Sequence, residues 1–208
     1  MHHPRLLLQN HDQVVGSPEN GVAMITARCL AITLSLLLPL SAGAHNFVEG
    51  QRVAPVGIAD KGELLWQQDK FSYQNWNSAQ LGGKVRVIQH IAGRSSAKEK
   101  NAALIEAIKA AKLPHDRYQT TTVVNTDDAI PGTGMFVRSS LESNKKQYPW
   151  SQFIVDSKGS AKRAWQLENG GSAIVVLDKQ GTVRFAKDDA LTQDEVKQVI
   201  ALLHDLLK

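Results

Sequence analysis

The run Lys84–Arg94, followed by the helix-like run Ser95–Lys112 and the β-branched run Tyr118–Asn125, constrains this chain more than any other feature. Lys84–Arg94 carries Val85 and Val87 with Gln89 on one side and Ile88 on the other, ending in His90 and Ile91. Apolar residues on both faces suit a strand covered by helices on both sides. Behind it, Ala97, Asn101, Leu104, Ile105, Ile108 and Ala111 recur at three- and four-residue spacing, which predicts one buried helix face. Ser96–Glu99 has the pattern of a capping box at the helix start, and Pro114 stops the helix. Tyr118–Asn125 reads as a second strand. Strand, helix and strand at these lengths predict parallel neighbours joined by a right-handed crossover.

The rest of the chain supplies further elements around this unit. Gly50–Trp66 holds two short apolar pieces on either side of Asp60–Gly62, read as the turn of a β-hairpin. Tyr73–Gly83 is expected to be a surface connection, with Trp76 covering a core edge or rimming a groove. Downstream, the sequence predicts a loop over Asp127–Gly134, a helix from about Met135 to Gln147, and a strand over Ser151–Asp156. Ala161–Leu167 fits a helical turn or a short helix. Ser172–Leu177 is a compact strand, Asp178–Gly181 a hairpin turn and Thr182–Ala186 its return strand. Thr192–Glu195 is a second capping box, leading into a final helix with Val196, Val199, Ile200, Leu203, Leu206 and Leu207 on its core face.

Ahead of this domain, Ala27–Ala44 has the parts of a secretory signal. Arg28 supplies the positive region, Cys29–Leu38 the apolar core, and Ala42–Ala44 the small-residue cleavage site. Met24 is then the expected true start, residues 1–23 an upstream extension translated in error, residues 24–44 the signal, and residues 45–208 a single domain. The apolar run is short of the roughly 20 residues that a membrane span needs, so no stable anchor is expected after cleavage in the periplasm. Cys29 is the only cysteine in the chain. Cleavage after Ala44 leaves no thiol, which excludes disulfide exchange and cysteine peroxidase chemistry for the mature chain.

Charge narrows the partners. The chain of 208 residues carries a net charge of +4, without a block of five or six like charges, so nucleic acid is not an expected partner. The Lys145–Lys146 pair reads as a solvated helix face. No Gly-x-Ser-x-Gly elbow, phosphate-binding loop or dinucleotide fingerprint occurs, and no cofactor is expected. His45, His90, His115 and His204 make no metal-ligand spacing, although His45 would become the mature N-terminus, where its amine and imidazole together could chelate copper.

In order, these elements give an α/β chain that resembles the thioredoxin-like fold: a central mixed sheet flanked by helices, with an N-terminal β-hairpin and an inserted α-β segment. Gly50–Leu64, Gly83–Lys84, Tyr148–Asp156 and Ser172–Gly181 are the stretches that resemble its periplasmic thiol-protein branch. At a finer level, Gly93–Asn101 and Asn125–Pro131 resemble the YtfJ family of small periplasmic proteins, a family without an established activity. The resemblance to the thiol-active thioredoxin-like proteins places their first reactive cysteine at Ser95, their resolving cysteine at Lys98 and their cis-proline at about Ser172. A serine hydroxyl cannot exchange with a disulfide. Two readings remain. One is a non-catalytic module binding a small anion or a periplasmic protein, with Arg94, Ser95, Ser96, Asp127, Asp128 and Trp76 as its candidate groove. The other is a cryptic non-thiol enzyme or metal-binding protein using the same groove.

Overall fold

The structure is a computed structural model and describes residues 45–208. The signal segment, Met24 and Cys29 lie outside the described residues. The elements in chain order are strands β1 (Gly57–Gln67), β2 (Lys70–Asn77) and β3 (Val85–Ala92), helices α1 (Ser95–Lys100) and α2 (Ala102–Ala111), and strand β4 (Tyr118–Asn125). Helix α3 (Gly134–Gln147), strand β5 (Gln152–Asp156), helix α4 (Ser160–Trp165), strands β6 (Ser172–Leu177) and β7 (Val183–Asp188) and helix α5 (Gln193–Leu206) complete the fold.

One seven-stranded mixed sheet results, in the order β2-β1-β5-β4-β3-β6-β7. β3, β4 and β5 run parallel, and the remaining pairings are antiparallel. All eight residues of β3 are buried, as its two-sided apolar pattern requires. On one face, Val85, Val87 and Ile174 pack with Leu104 of α2 and Leu203 of α5. Toward α3 the same face is filled by Leu64, Ala97, Val124, Leu141 and Phe153. The other face packs Ile58, Ile88, Val123 and Ile154 with Trp165 of α4 and Phe47 of the N-terminal segment. The second capping box forms as expected: Glu195 N–H donates to Thr192 Oγ1 at 3.2 Å, and Thr192 N–H donates to the Glu195 carboxylate at 2.7 Å.

Five expectations are corrected. Asp60–Gly62 is a bulge within β1, where pairing with β2 shifts register between Ile58 and Glu63. Gly62 sits at φ +80°, and a Cβ there would lie 2.1 Å from the Gln74 carbonyl oxygen, so only glycine fits. The reverse turn lies instead at Gln68 and Asp69, both with positive φ, as a two-residue hairpin of the right twist demands. Tyr73–Asn77 consequently belongs to β2, and only the 3-10 turn Ser78–Leu81 and residues 82–84 connect it to β3.

The expected capping box at Ser96 is not made, because the helix begins two residues early. Arg94 occupies the N-cap in an extended conformation without a side-chain cap, which places Ser96 inside the first turn. The long helix is also broken at Asn101, whose φ of −119° separates α1 from α2. Its buried amide explains the break. Asn101 Nδ2 donates to Ser172 Oγ at 3.0 Å and to the Asp189 carbonyl at 3.2 Å, while Oδ1 accepts from Leu191 N–H at 2.9 Å. Finally, Lys145 is buried rather than solvated. Its ammonium donates to the Pro149 and Ser151 carbonyls at 3.1 and 2.8 Å, closing the C-terminal turn of α3, where a cation suits the helix dipole.

Candidate functional site

The junction from β3 into α1 is closed by its own hydrogen bonds. Gly93 N–H donates to the Asn125 carbonyl at 2.8 Å, and a Cβ at position 93 would press on Ala129 at 3.0 Å. Arg94 then crosses to the loop after β4, donating from Nε at 2.9 Å and from a terminal nitrogen at 2.5 Å to the Asp128 carbonyl. The Asp128 carboxylate pairs with Lys162 at 3.0 Å and accepts from Asn125 Nδ2 at 3.1 Å and Gly170 N–H at 3.2 Å. Lys162 also donates to Asn169 Oδ1 at 2.7 Å. Burial acts to raise the Asp128 pKa, but the Gly170 N–H, Lys162 and Arg94 together hold it below the ordinary carboxylate value.

The predicted site residues therefore separate. Arg94 and Asp128 meet as an internal brace, with the guanidinium lodged beneath Gly170, whose φ of +65° lets the chain pass over it. Asp127 is exposed at the start of a 3-10 turn capped by Asn125, and Ser95 and Ser96 are exposed in the first turn of α1. Of the two readings of Trp76, the core one holds and the groove-rim one is corrected. Trp76 is 1% exposed and packs in the core with Ile58, Leu81 and Ile88, so it rims no groove. His90, beneath the brace, is buried with Nε2 unpartnered and its ring 6.4 Å from that of Trp165. Burial pushes its pKa down to about 4, with Asp128 opposing and Lys162 assisting, so the imidazole is neutral at pH 7.

None of these groups makes a reactive pair. His45 accepts from Phe47 N–H through Nδ1 at 3.3 Å, and among the described residues no group of three His, Cys, Asp or Glu side chains could hold a metal ion.

Space for a ligand lies beside the junction. α2 and α3 straddle β4 and leave a cleft of about 840 Å³ between them, within the size range of small-molecule sites. Ile105 and Ile108 form the α2 wall, and Val137 and Leu141 the α3 wall. One end opens at Ser95, Lys98, Ile130 and Phe136, the other at Lys112, His115 and Trp150. Phe136 is 76% and Ile130 54% exposed, so large apolar side chains stand in solvent at the first mouth. The floor is polar. Thr120 shares a hydrogen bond with the Tyr118 hydroxyl at 2.9 Å, and beyond it Gln89 and Thr122 lie side by side as register partners of β3 and β4. Gln89 is 5% and Thr122 8% exposed, yet neither side chain has a hydrogen-bond partner among the described residues. Sequence reading placed Gln89 on the same side as Val85 and Val87 but gave it no role; the alternation Thr120, Thr122, Val124 was the available hint of a half-polar floor.

Residues 47–206 match the model of a family described as a bacterial protein of unknown function, YtfJ_HI0045. The chain belongs to that family. It is similar to the uncharacterized protein YtfJ of Escherichia coli strain K12, at 71% identity over 185 residues covering 89% of this chain and 100% of that one. It is also similar to an uncharacterized protein of Haemophilus influenzae, at 42% identity over 179 residues covering 86% and 97%. Among solved structures, it is similar to a candidate protein disulfide isomerase from Bacteroides thetaiotaomicron, with a TM-score of 0.53 at 15% identity, covering 78% of this chain and 92% of that one. The thioredoxin domain of a thiol-disulfide oxidoreductase from Bacteroides vulgatus gives a TM-score of 0.50 at 10% identity, covering 78% and 100%. At those identities the likeness establishes the thioredoxin-like fold and nothing of the chemistry.

Proposed function

We propose that this family member is a periplasmic thioredoxin-like domain that has left thiol chemistry behind and binds a ligand in the cleft between α2 and α3. The observation that carries the reading is the cleft itself, about 840 Å³ with apolar walls and solvent-facing Ile130 and Phe136 at one mouth. Its volume and lining suit a bound molecule better than a packing defect, since interiors rarely leave voids of this size. The position of Ser95, and Cys29 as the sole cysteine of the chain, support a role without disulfide exchange. At the junction, the Asp128 carboxylate is already engaged by Lys162, Asn125 and Gly170, which speaks against acid–base work there. Periplasmic location rests on the signal-like segment Ala27–Ala44.

The reading is tested with an environment-sensitive apolar dye and the variant Ser140→Trp, which fills the cleft from α3. Dye binding that is lost in the variant, with its fold intact by circular dichroism, supports the reading. Equal binding by both proteins contradicts it. Mass spectrometry of the protein recovered from a periplasmic fraction should find His45 at the N-terminus; recovery in the cytoplasm with residues 24–44 retained contradicts the location.

A further inference from the structure

Gln89 and Thr122 are the two polar side chains that the fold leaves unanswered at the bottom of the cleft. Each is more than nine-tenths buried, each lines the cavity, and their Cα atoms are register partners on adjacent strands. Neither is among the sealed side-chain atoms that lack a partner, so their polar atoms open onto the cleft, and an occupant that displaces the water there must answer both. The carboxamide offers two donors and an acceptor, and the hydroxyl one donor and an acceptor. A peptide group, with one donor and one acceptor, can satisfy both sides of this pair. An unbroken alkyl chain can satisfy neither, and would seal both away from water at the full desolvation cost.

The surroundings narrow the partner further. The alternating floor positions Tyr118, Thr120, Thr122 and Val124 span six residues of strand, roughly 20 Å. An extended chain of about six residues has that length. Apolar walls stand on both sides of the polar pair, Ile105 and Ile108 facing Val137 and Leu141, so apolar side chains fit on either side of a central amide. Among the residues lining the cleft, the α1–α2 side carries Arg94, Lys98, Lys109 and Lys112 against the single acid Glu106. Lys109 is paired with Glu106 at 2.7 Å, whereas Lys98 and Lys112, one at each mouth, take no ion-pair partner among the described residues. That balance favours an occupant with a negative end.

We propose that the ligand of the cleft is a short, extended, apolar peptide with an acidic end, recognised at its centre by Gln89 and Thr122. This inference rests on the cleft being the binding site. It is tested by calorimetric titration of the purified protein with an acetylated hexapeptide of leucine and phenylalanine bearing a free terminal carboxylate. The same peptide ending in an amide, and palmitate as a carboxylate without a peptide group, are the comparison probes.

The expected result is hexapeptide binding that weakens about tenfold in Gln89→Leu and in the isosteric Thr122→Val, the order expected for a lost hydrogen bond in a dry site. Palmitate should bind more weakly than the peptide and be unaffected or strengthened by both changes. The amide-ended peptide should bind more weakly than the acid. Palmitate binding as tightly as the peptide, or peptide affinity unchanged in both variants, overturns the peptide inference. Equal affinity for acid and amide ends overturns the acidic end. No peptide binding alongside dye binding that Ser140→Trp abolishes overturns this inference alone, whereas dye binding indifferent to Ser140→Trp removes the cleft reading beneath it.

Discussion

The junction at Gly93–Ser96 and the cleft over β4 adjoin each other, and they use their polar groups in opposite ways. At the junction, Arg94, Asp128, Lys162, Asn125 and Asn169 answer one another, and the loops after β3, β4 and α4 are tied into one piece. In the cleft, Gln89 and Thr122 are more deeply buried than Arg94, Asp128 or Lys162 but have no partner within the fold, and apolar Phe136 and Ile130 face water. The corner between β3 and α1 is closed by its own hydrogen bonds. The open space lies in the neighbouring gap between two helices. Satisfied polar groups mark architecture, and unsatisfied ones beside a cavity mark a place for something else.

The comparison breaks first, and with the largest effect, at Asp128. Asp128→Ala should cost about 3 kcal/mol of stability in urea unfolding, because Lys162, Asn125 and the Gly170 N–H lose their shared acceptor at once, leaving Lys162 only Asn169. Dye affinity should not change. A variant as stable as the parent, or one that loses binding while staying folded, would merge the two regions.

Next in size is the buried imidazole under the brace. His90 is neutral in the folded protein but takes up a proton when unfolded below about pH 6.5. The unfolded state therefore binds more protons, and stability rises with pH across the window from about 4 to 6.5. The contribution is complete above that window and lost as pH falls through it, about 3 kcal/mol in all at ~1.4 kcal/mol per unit. Urea midpoints at pH 7 and pH 4 should differ less in His90→Leu than in the parent. Parallel pH profiles would show that His90 does not titrate across unfolding.

A smaller effect sharpens the cleft side. Gln89→Leu should leave stability unchanged or slightly raised, since it removes an unbonded buried amide while keeping most of the volume. A loss above about 2 kcal/mol in thermal unfolding would reveal an internal partner for Gln89 and return the floor to architecture. The smallest effect belongs to the serines. Ser95→Ala and Ser96→Ala should each stay within about 0.5 kcal/mol, because both are exposed and neither caps the helix. A drop of about 1 kcal/mol in either would restore the capping role that the sequence pattern suggested.

Legibility in the sequence followed the range of the interactions. β3, β4 and β6 and the Thr192–Glu195 cap were readable because each is set by neighbours within a few residues. Asp60–Gly62 misled because glycine serves a bulge as readily as a turn; what decided between them was a β2 backbone 12 residues on, at Gln74. Asn101 sat correctly on the buried helix face, but its break depends on Ser172 and Leu191, some 70 and 90 residues away. In the candidate site, Arg94 and Asp128 were found, while their partners Lys162 and Asn169 were not, since only tertiary folding brings α4 to the loop after β4. The cleft was illegible for a deeper reason. It is a gap between helices, and nothing in a local pattern records a distance between two elements that do not touch.

The central claim is that the cleft, and not the junction, holds the ligand. Amide and side-chain chemical-shift mapping of the labelled protein during titration with the acidic hexapeptide tests it most directly. The account predicts shifts concentrated on Gln89, Thr122, Ile105 and Phe136, with the side-chain amide of Gln89 among the largest and Asp127 and Asp128 still. Shifts centred on Ser95, Ser96, Asp127 and Asp128, with Gln89 and Thr122 unmoved, would contradict it.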